Sequence, residues 1–322
     1  MIESIIKKIP KCAIVVPCYN EEEVLQYSSE ILSSILKNLI AKTKISGESA
    51  ICFVNDGSKD KTWEIIESLC TTDSMFKGIS FSRNFGHQSS ILAGMLELKD
   101  DFDCIITIDA DLQDDTDLIE KFIDKFSEGC HIVYGVRRDR PYDTVFKKWT
   151  ALLYYKILKV LGVDILYNHA DYRLISKKTL TSLSDFEEVN LFLRGVFPLL
   201  GYKTDTVIYD RKERFAGETK YTFSKMFSLA INGITSFSVK PLRIISYLGF
   251  LSFFFSICIS IWIIIEYYRS NVITGWTSVL VSIYFIGGIS MISIGIIGEY
   301  IGKIYEEVKK RPRFIIEKKI NI

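Results

Sequence analysis

The sequence predicts an α/β domain on an open, mostly parallel sheet, followed by a two-helix membrane segment. Three observations lead there. Short apolar runs alternate with amphipathic stretches through residues 1 to about 235. Polar clusters sit directly after several of those runs. Two long uncharged stretches come after residue 240, and a basic tail closes the chain.

The elements follow in order. Strands are expected at 13–17, 50–54, 78–82, 104–109 and 132–136. Helices are expected at 22–41, 62–70, 88–98, 117–126 and 145–161. Strand-helix alternation of this kind gives a sheet covered on both faces, with ligands collecting at the carboxyl ends of the strands. Residues 222–239 repeat Phe223, Met226, Phe227, Ala230, Ile231, Ile234 and Phe237 at helical spacing, as a helix lying in a membrane interface would.

Residues 244–265 and 276–298 are apolar and uncharged, and each is long enough to cross a bilayer. Lys240 and Arg243 precede the first stretch, and seven lysines and arginines follow the second between residues 303 and 319. The intervening loop carries only Glu266 and Arg269. This bias places both ends of the hairpin, and the domain before it, in the cytoplasm. Residues 301–322 read as a basic cytoplasmic tail.

Composition excludes other classes. The formal net charge of +1 gives no reason to expect nucleic acid as a partner. The seven cysteines form no CxxC pair, which with only three histidines argues against a zinc cluster and fits a reducing compartment. No GxGxxG follows the first strand and no GxxxxGK[ST] occurs, which argues against dinucleotide and P-loop enzymes.

Acids and amides gather after strands one, two and four, in PCYNEEE, NDGSKDKT and DADLQDD. Asn, Asp and Gly also serve turns and caps, which accounts for Gly57 and Ser58 but not for acids at all three strand ends. Asp109 and Asp111 flank a small residue after a buried run, with Gln113 nearby. Such an oxygen-rich set suits Mg²⁺ or Mn²⁺.

IVVPCYNEEE, FVNDGSKDKT and TIDADLQDD, in this order and spacing, resemble the GT-A glycosyltransferases of family 2. HADYRLIS, FLRGVFPLLGY and RFAGETKY, with the two C-terminal spans, resemble the polyprenyl-phosphate branch of that family. That branch includes dolichyl-phosphate mannose synthases and bactoprenol glucosyltransferases, and the resemblance covers essentially the whole chain. It implies that Pro17, Tyr19, Asn20, Glu21, Asp56 and Ala110 hold the nucleotide, and that Asp109, Asp111 and Gln113 hold the metal and donor phosphates. It further implies that Arg214 and Lys220 close over the diphosphate on a mobile loop. Arg137, Arg138 and Arg173 are assigned to the acceptor phosphate, and Asp171 to the catalytic acid or base.

The implied reaction is inverting transfer of a hexose from a nucleotide-sugar to polyprenyl (undecaprenyl) phosphate. UDP-glucose is the first expectation for the donor. GDP-mannose, UDP-N-acetylhexosamine, UDP-galactose and UDP-aminoarabinose are the alternatives. The implied setting is the bacterial cytoplasmic membrane, multi-pass, with a homo-oligomeric assembly. A processive synthase is the competing enzyme class, but the QxxRW motif it would carry is absent. A non-catalytic membrane scaffold is the competitor from another class; the intact DxD, RFAGETK and HADYR motifs argue against it.

Overall fold

The computed structural model describes residues 9–138, 169–189, 191–210, 240–268 and 276–322. The expected helix at 145–161, the interfacial helix at 222–239 and the loop carrying Arg214 and Lys220 lie outside them. The described residues form two compact units. One holds 9–138, 169–189, 191–210 and 311–322, and the other holds 240–268 and 276–310.

In the first unit, strands β1 (Cys12–Cys18), β2 (Ala50–Asn55), β3 (Phe76–Phe81) and β4 (Cys104–Thr107) alternate with helices α1 (Leu25–Ala41), α2 (Thr62–Thr72), α3 (His87–Leu98) and α4 (Leu118–Ser127). β1, β2 and β4 are buried at every position, so they read as unbroken apolar runs, as strands covered on both faces do. α1 buries Leu25, Leu32, Leu36 and Leu39 along one stripe, which is why it reads as an amphipathic helix. β1 pairs parallel with β2 and β4, and β2 pairs parallel with β3. Pro17 is tolerated in this central strand because pairing with β4 ends at Val15.

Beyond α4 come β5 (Ile132–Arg137), β6 (His169–Ser176), α5 (Lys177–Ser184), α6 (Leu193–Leu199), β7 (Thr204–Tyr209) and, near the C-terminus, β8 (Ile316–Ile320). The sheet order is β7-β5-β6-β4-β1-β2-β3-β8. The sheet is mixed: its parallel pairings, which include β5 with β7, are joined by antiparallel ones that the sequence did not predict. β6 runs antiparallel between β4 and β5, and β8 runs antiparallel along β3. The sequence rule assumes that each strand is reached by a crossover from the far end of the last. β6 instead enters at the end where β5 stops, with His169 opposite Val136, and an antiparallel partner needs no crossover.

That insertion positions the site. Arg173 of β6 faces Thr107 of β4, so residues two further along from that pair, Asp171 and Asp109, come to one end of the sheet. The fourth strand is also shorter than expected. It ends at Thr107, and Asp109 sits in the loop beyond it.

The second unit contains α7 (Lys240–Tyr268) and α8 (Trp276–Val308). Large apolar side chains stand in the open on both, among them Phe250 at 75% exposure on α7 and Met291 at 72% on α8. Among the described residues one stretch, Phe285–Val308, is long and apolar enough to cross a membrane. It begins later in the chain than the expected second span at 276–298 and includes charged residues from Glu299 onward.

Candidate active site

Four loops meet at the carboxyl ends of β1 to β4. The loops after β1 and β2 are laced together. Asn20, at φ 54°, donates its backbone N–H to Ser58 Oγ at 3.0 Å and accepts from Lys59 N–H at 2.9 Å. Glu21 N–H donates to Thr62 Oγ1 at 2.9 Å. Tyr19 stands at their mouth, 38% exposed, whereas Pro17 and Ala110 are buried.

Asp56 is buried at the end of β2, and both its oxygens are engaged. It accepts from Phe85 N–H at 2.6 Å and from Gly86 N–H at 3.0 Å. Burial pushes its pKa up, and the two amides oppose the rise. The loop Arg83–Gly86 after β3 therefore hangs from Asp56. It passes so close to Gly57 that a Cβ there would lie 2.4 Å from the Arg83 carbonyl carbon; Gly57 also has φ +62°.

The DxD loop is held from both sides. Ser28 of α1 donates to the Ala110 carbonyl at 2.6 Å, and Tyr172 of β6 donates to the Asp115 carbonyl at 3.1 Å. Within the loop, Asp111 Oδ1 accepts from Gln113 N–H at 3.2 Å, and Leu112 adopts φ 45°. Gln113 is buried, at 4% exposure. Asp114, also buried, accepts from Arg137 Nη2 at 3.0 Å and from Tyr209 Oη. Burial works against the charge on Arg137, but the Asp114 carboxylate and Tyr209 outweigh it and hold its pKa above the usual value. Arg138 is exposed at the end of β5 and pairs with Asp210 at 3.3 Å.

Asp171 is clamped. It accepts from Arg173 Nη2, and from Arg194 of α6 through Nε at 3.2 Å and Nη2 at 2.9 Å. Burial alone would raise its pKa, yet Arg194 and Arg173 hold it far below the ordinary carboxylate range. Arg173 is fully buried behind it, with its guanidinium 5.0 Å from the Phe197 ring centroid. The acceptor-phosphate role expected for Arg173 therefore has no exposed guanidinium to serve it here.

Between the two acids stands His87, the first residue of α3. Its Nε2 lies 3.5 Å from Asp109 Oδ1 and 3.7 Å from Asp171 Oδ2. Partial withdrawal from water, together with Asp114, Asp171 and Asp111 nearby, raises the pKa of Asp109; His87 lowers it. Among the described residues no three His, Cys, Asp or Glu side chains converge closely enough to hold a metal ion by themselves.

The family model for "Glycosyl transferase family 2" matches residues 13–183, which contain all four loops, His87 and Asp171. The chain belongs to glycosyl transferase family 2. A Bacillus subtilis member, the "uncharacterized glycosyltransferase YkoT", is 49% identical over 308 residues, covering 96% of this chain and 91% of its own. The Escherichia coli "prophage bactoprenol glucosyl transferase homolog" is 40% identical, covering 96% and 99%. The bactoprenol glucosyl transferase of Shigella phage SfII is 39% identical, covering 96% and 98%.

Sequence reading passed over two residues that the fold brings against Asp109 and Asp171, namely His87 and Arg194. The stretch after β3, SRNFGH, was a fourth polar strand-end cluster, and the strand-end rule that found the other three applies to it equally. Arg194 lies in FLRGVFPLLGY, and nothing in its local pattern separates it from an exposed helical arginine. Arg214 and Lys220 of this family 2 enzyme lie outside the described residues.

Proposed function

We propose that this glycosyltransferase moves a hexose from a nucleotide-sugar, UDP-glucose first, to a polyprenyl phosphate at the cytoplasmic face of a bacterial membrane. The observation that carries the reading is the likeness, along nearly the whole chain, to proteins named bactoprenol glucosyl transferase. Exposed apolar side chains on α7 and α8 support a membrane setting, because water-facing surfaces rarely carry so many. Two spans with both ends cytoplasmic, and an oligomer of such chains, complete the proposal.

In this reading Tyr19 stacks on the base, while Asn20 and Glu21 shape the loop around the ribose. Asp56 acts chiefly through Phe85 and Gly86, whose amides it already holds. Asp109 and Asp111 would be the protein's ligands to Mg²⁺ or Mn²⁺. The fit is chemical: crowded carboxylate oxygens are donors that a hard divalent cation neutralises. When bound, such an ion supplies Lewis-acid stabilisation of the departing diphosphate. Gln113 joins Asp109 and Asp111 in the proposed metal and donor-phosphate site, and its backbone N–H supports the loop through Asp111.

The nucleophile is a lipid phosphate oxygen, ionised at neutral pH. It forms a bond to the anomeric carbon as the bond from that carbon to the donor diphosphate breaks. The nucleoside diphosphate leaves, and no proton need move. One displacement inverts the anomeric centre. Asp171, already neutralised by two arginines, is then a positioning group rather than a base. Arg137 faces Asp114 on the other flank and extends the site's positive charge toward an acceptor phosphate. Arg214 and Lys220 are assigned to the closing loop by their motif alone.

Purified protein in detergent, given undecaprenyl phosphate and labelled UDP-glucose, tests the reading. Label should enter the organic extract as an acid-labile lipid. Failure with every nucleotide-sugar in a donor panel would remove the lipid-acceptor proposal. Reporter fusions after residue 322 and within 269–275 test the hairpin, and a periplasmic C-terminus would refute its orientation.

A further inference from the structure

The last residues of the chain return to the catalytic sheet. β8 zips antiparallel onto β3, with Ile320 opposite Gly78 and Ile316 opposite Phe81 across an irregular step. The ladder continues one bond further, as Ser82 N–H donates to the Ile315 carbonyl at 3.1 Å. Pairing therefore runs to the residue before the Arg83–Gly86 loop. Just upstream, the Phe314 ring stacks on Phe81, with centroids 5.3 Å apart and planes 8° from parallel. Phe81 in turn meets Phe85 edge-on at 5.6 Å, and the Arg83 guanidinium lies over the Phe85 ring, 4.0 Å from its centroid. Phe85 and Gly86 are the residues whose amides Asp56 holds, and His87 follows directly.

The loop is thus gripped at two points. Asp56 holds its backbone from within the domain, and an aromatic column ending in Phe314 holds its ring from the sheet edge. Edge-to-face and stacked aromatic pairs stabilise beyond their buried area alone. That stabilisation biases a short loop between conformations. β8 also has anchors elsewhere, including Lys318 with Glu67 and Lys319 with Glu97, which do not touch the loop. The strand can therefore stay docked when the column is removed.

We propose that Phe314, some 230 residues from the loop in sequence, is a positioning residue of the glycosyl-transfer site. Through Phe81 and Phe85 it fixes the loop that Asp56 holds by its backbone and that leads into His87 beside the proposed nucleotide-sugar site. The inference rests on the proposed function for its kinetic consequence, but its structural half does not.

Three variants of the full chain test it: Phe314→Ala, Phe314→Tyr, which keeps the ring, and the double change Lys318→Ala with Lys319→Ala. Hydrogen exchange at Phe85 and Gly86 is read first, without substrate. It should quicken about tenfold in Phe314→Ala and stay near wild type in the other two. KM for the nucleotide-sugar should rise about three- to tenfold in Phe314→Ala alone, with kcat changed less. Unchanged exchange in Phe314→Ala overturns the proposal. So does equal loosening in the double lysine variant, which would mean that docking of β8 rather than the aromatic column sets the loop. If wild-type enzyme transfers sugar to no lipid, the proposed function falls while the exchange result still decides this one.

Discussion

Two carboxylates in one site have been pushed in opposite directions. Asp171, on the β6 side, has its charge met inside the protein by Arg173 and Arg194, and its pKa falls far below the usual range. Asp109, on the β4 side, is withdrawn from water and has carboxylates for neighbours, with His87 acting against them, and its pKa rises. Groups whose environments part their pKa values in this way have divided roles. One half of the site is complete without a ligand. The other carries excess negative charge that a cation bound with the substrate would relieve.

The strongest way to break that contrast is to open the complete half. Asp171→Asn leaves Arg173 charged, fully buried and without its carboxylate. Breaking a buried pair from one side costs about 3–5 kcal/mol, which urea unfolding should register. A loss below about 1 kcal/mol would mean that Arg173 finds water or another partner, and the idea of a sealed clamp would fail.

Opening the other half should act on chemistry rather than stability. Asp111→Asn is expected to lower transfer by about a hundredfold or more and to abolish its dependence on added divalent ion. The unfolding midpoint should move little. Full activity in excess EDTA, in either protein, would remove the metal from the account.

The pH dependence sharpens the same contrast. The folded-state pKa of Asp171 is depressed, so its stabilisation is complete above the ordinary carboxylate range and is lost as pH falls toward the folded value. For Asp109 the folded value is raised, so ionising it on going from acid toward neutral pH works against the folded state. Replacing Asp109 with Asn should therefore raise the melting temperature of metal-free protein at neutral pH and leave it nearly unchanged at acid pH. Thermal scans at both values check this. Equal effects at the two would mean that ionisation is not the cause. For the same reason kcat should show no acid limb belonging to Asp171.

A smaller effect lies between the loops. Gly57→Ala places a Cβ against the Arg83 carbonyl carbon at a φ of +62°, at a cost of about 1–3 kcal/mol. Nucleotide affinity should weaken with it, because the Arg83–Gly86 loop must retreat. Wild-type affinity in a folded Gly57→Ala protein would show that the loop's close approach is incidental.

The same division governs what could be read from the sequence. β1 to β5 and α1 to α4 were legible because their signals are local: apolar runs for the buried strands, and a single buried stripe for helices such as α1 and α4. β6 was not, because HADYRLIS buries an ion pair on a strand, and Asp171 and Arg173 break the apolar run that would have marked it. β8 was hidden for another reason. IEKKI is short and charged, as edge strands are, and its partner lies more than 230 residues earlier. Asp109, Asp111 and Asp171 stood out as acids in motifs. Their arrangement did not, since the antiparallel entry of β6 brings Asp171 level with Asp109, and His87 reaches both only after folding.

The division of the site has one direct measurement. Mn²⁺ binding in the presence of UDP can be followed by electron paramagnetic resonance in the wild type, Asp109→Asn and Arg194→Ala proteins. The account predicts that Asp109→Asn loses UDP-dependent Mn²⁺ binding, whereas Arg194→Ala keeps it within about threefold and loses transfer instead. Wild-type Mn²⁺ binding in Asp109→Asn, or equal loss in both variants, would contradict it.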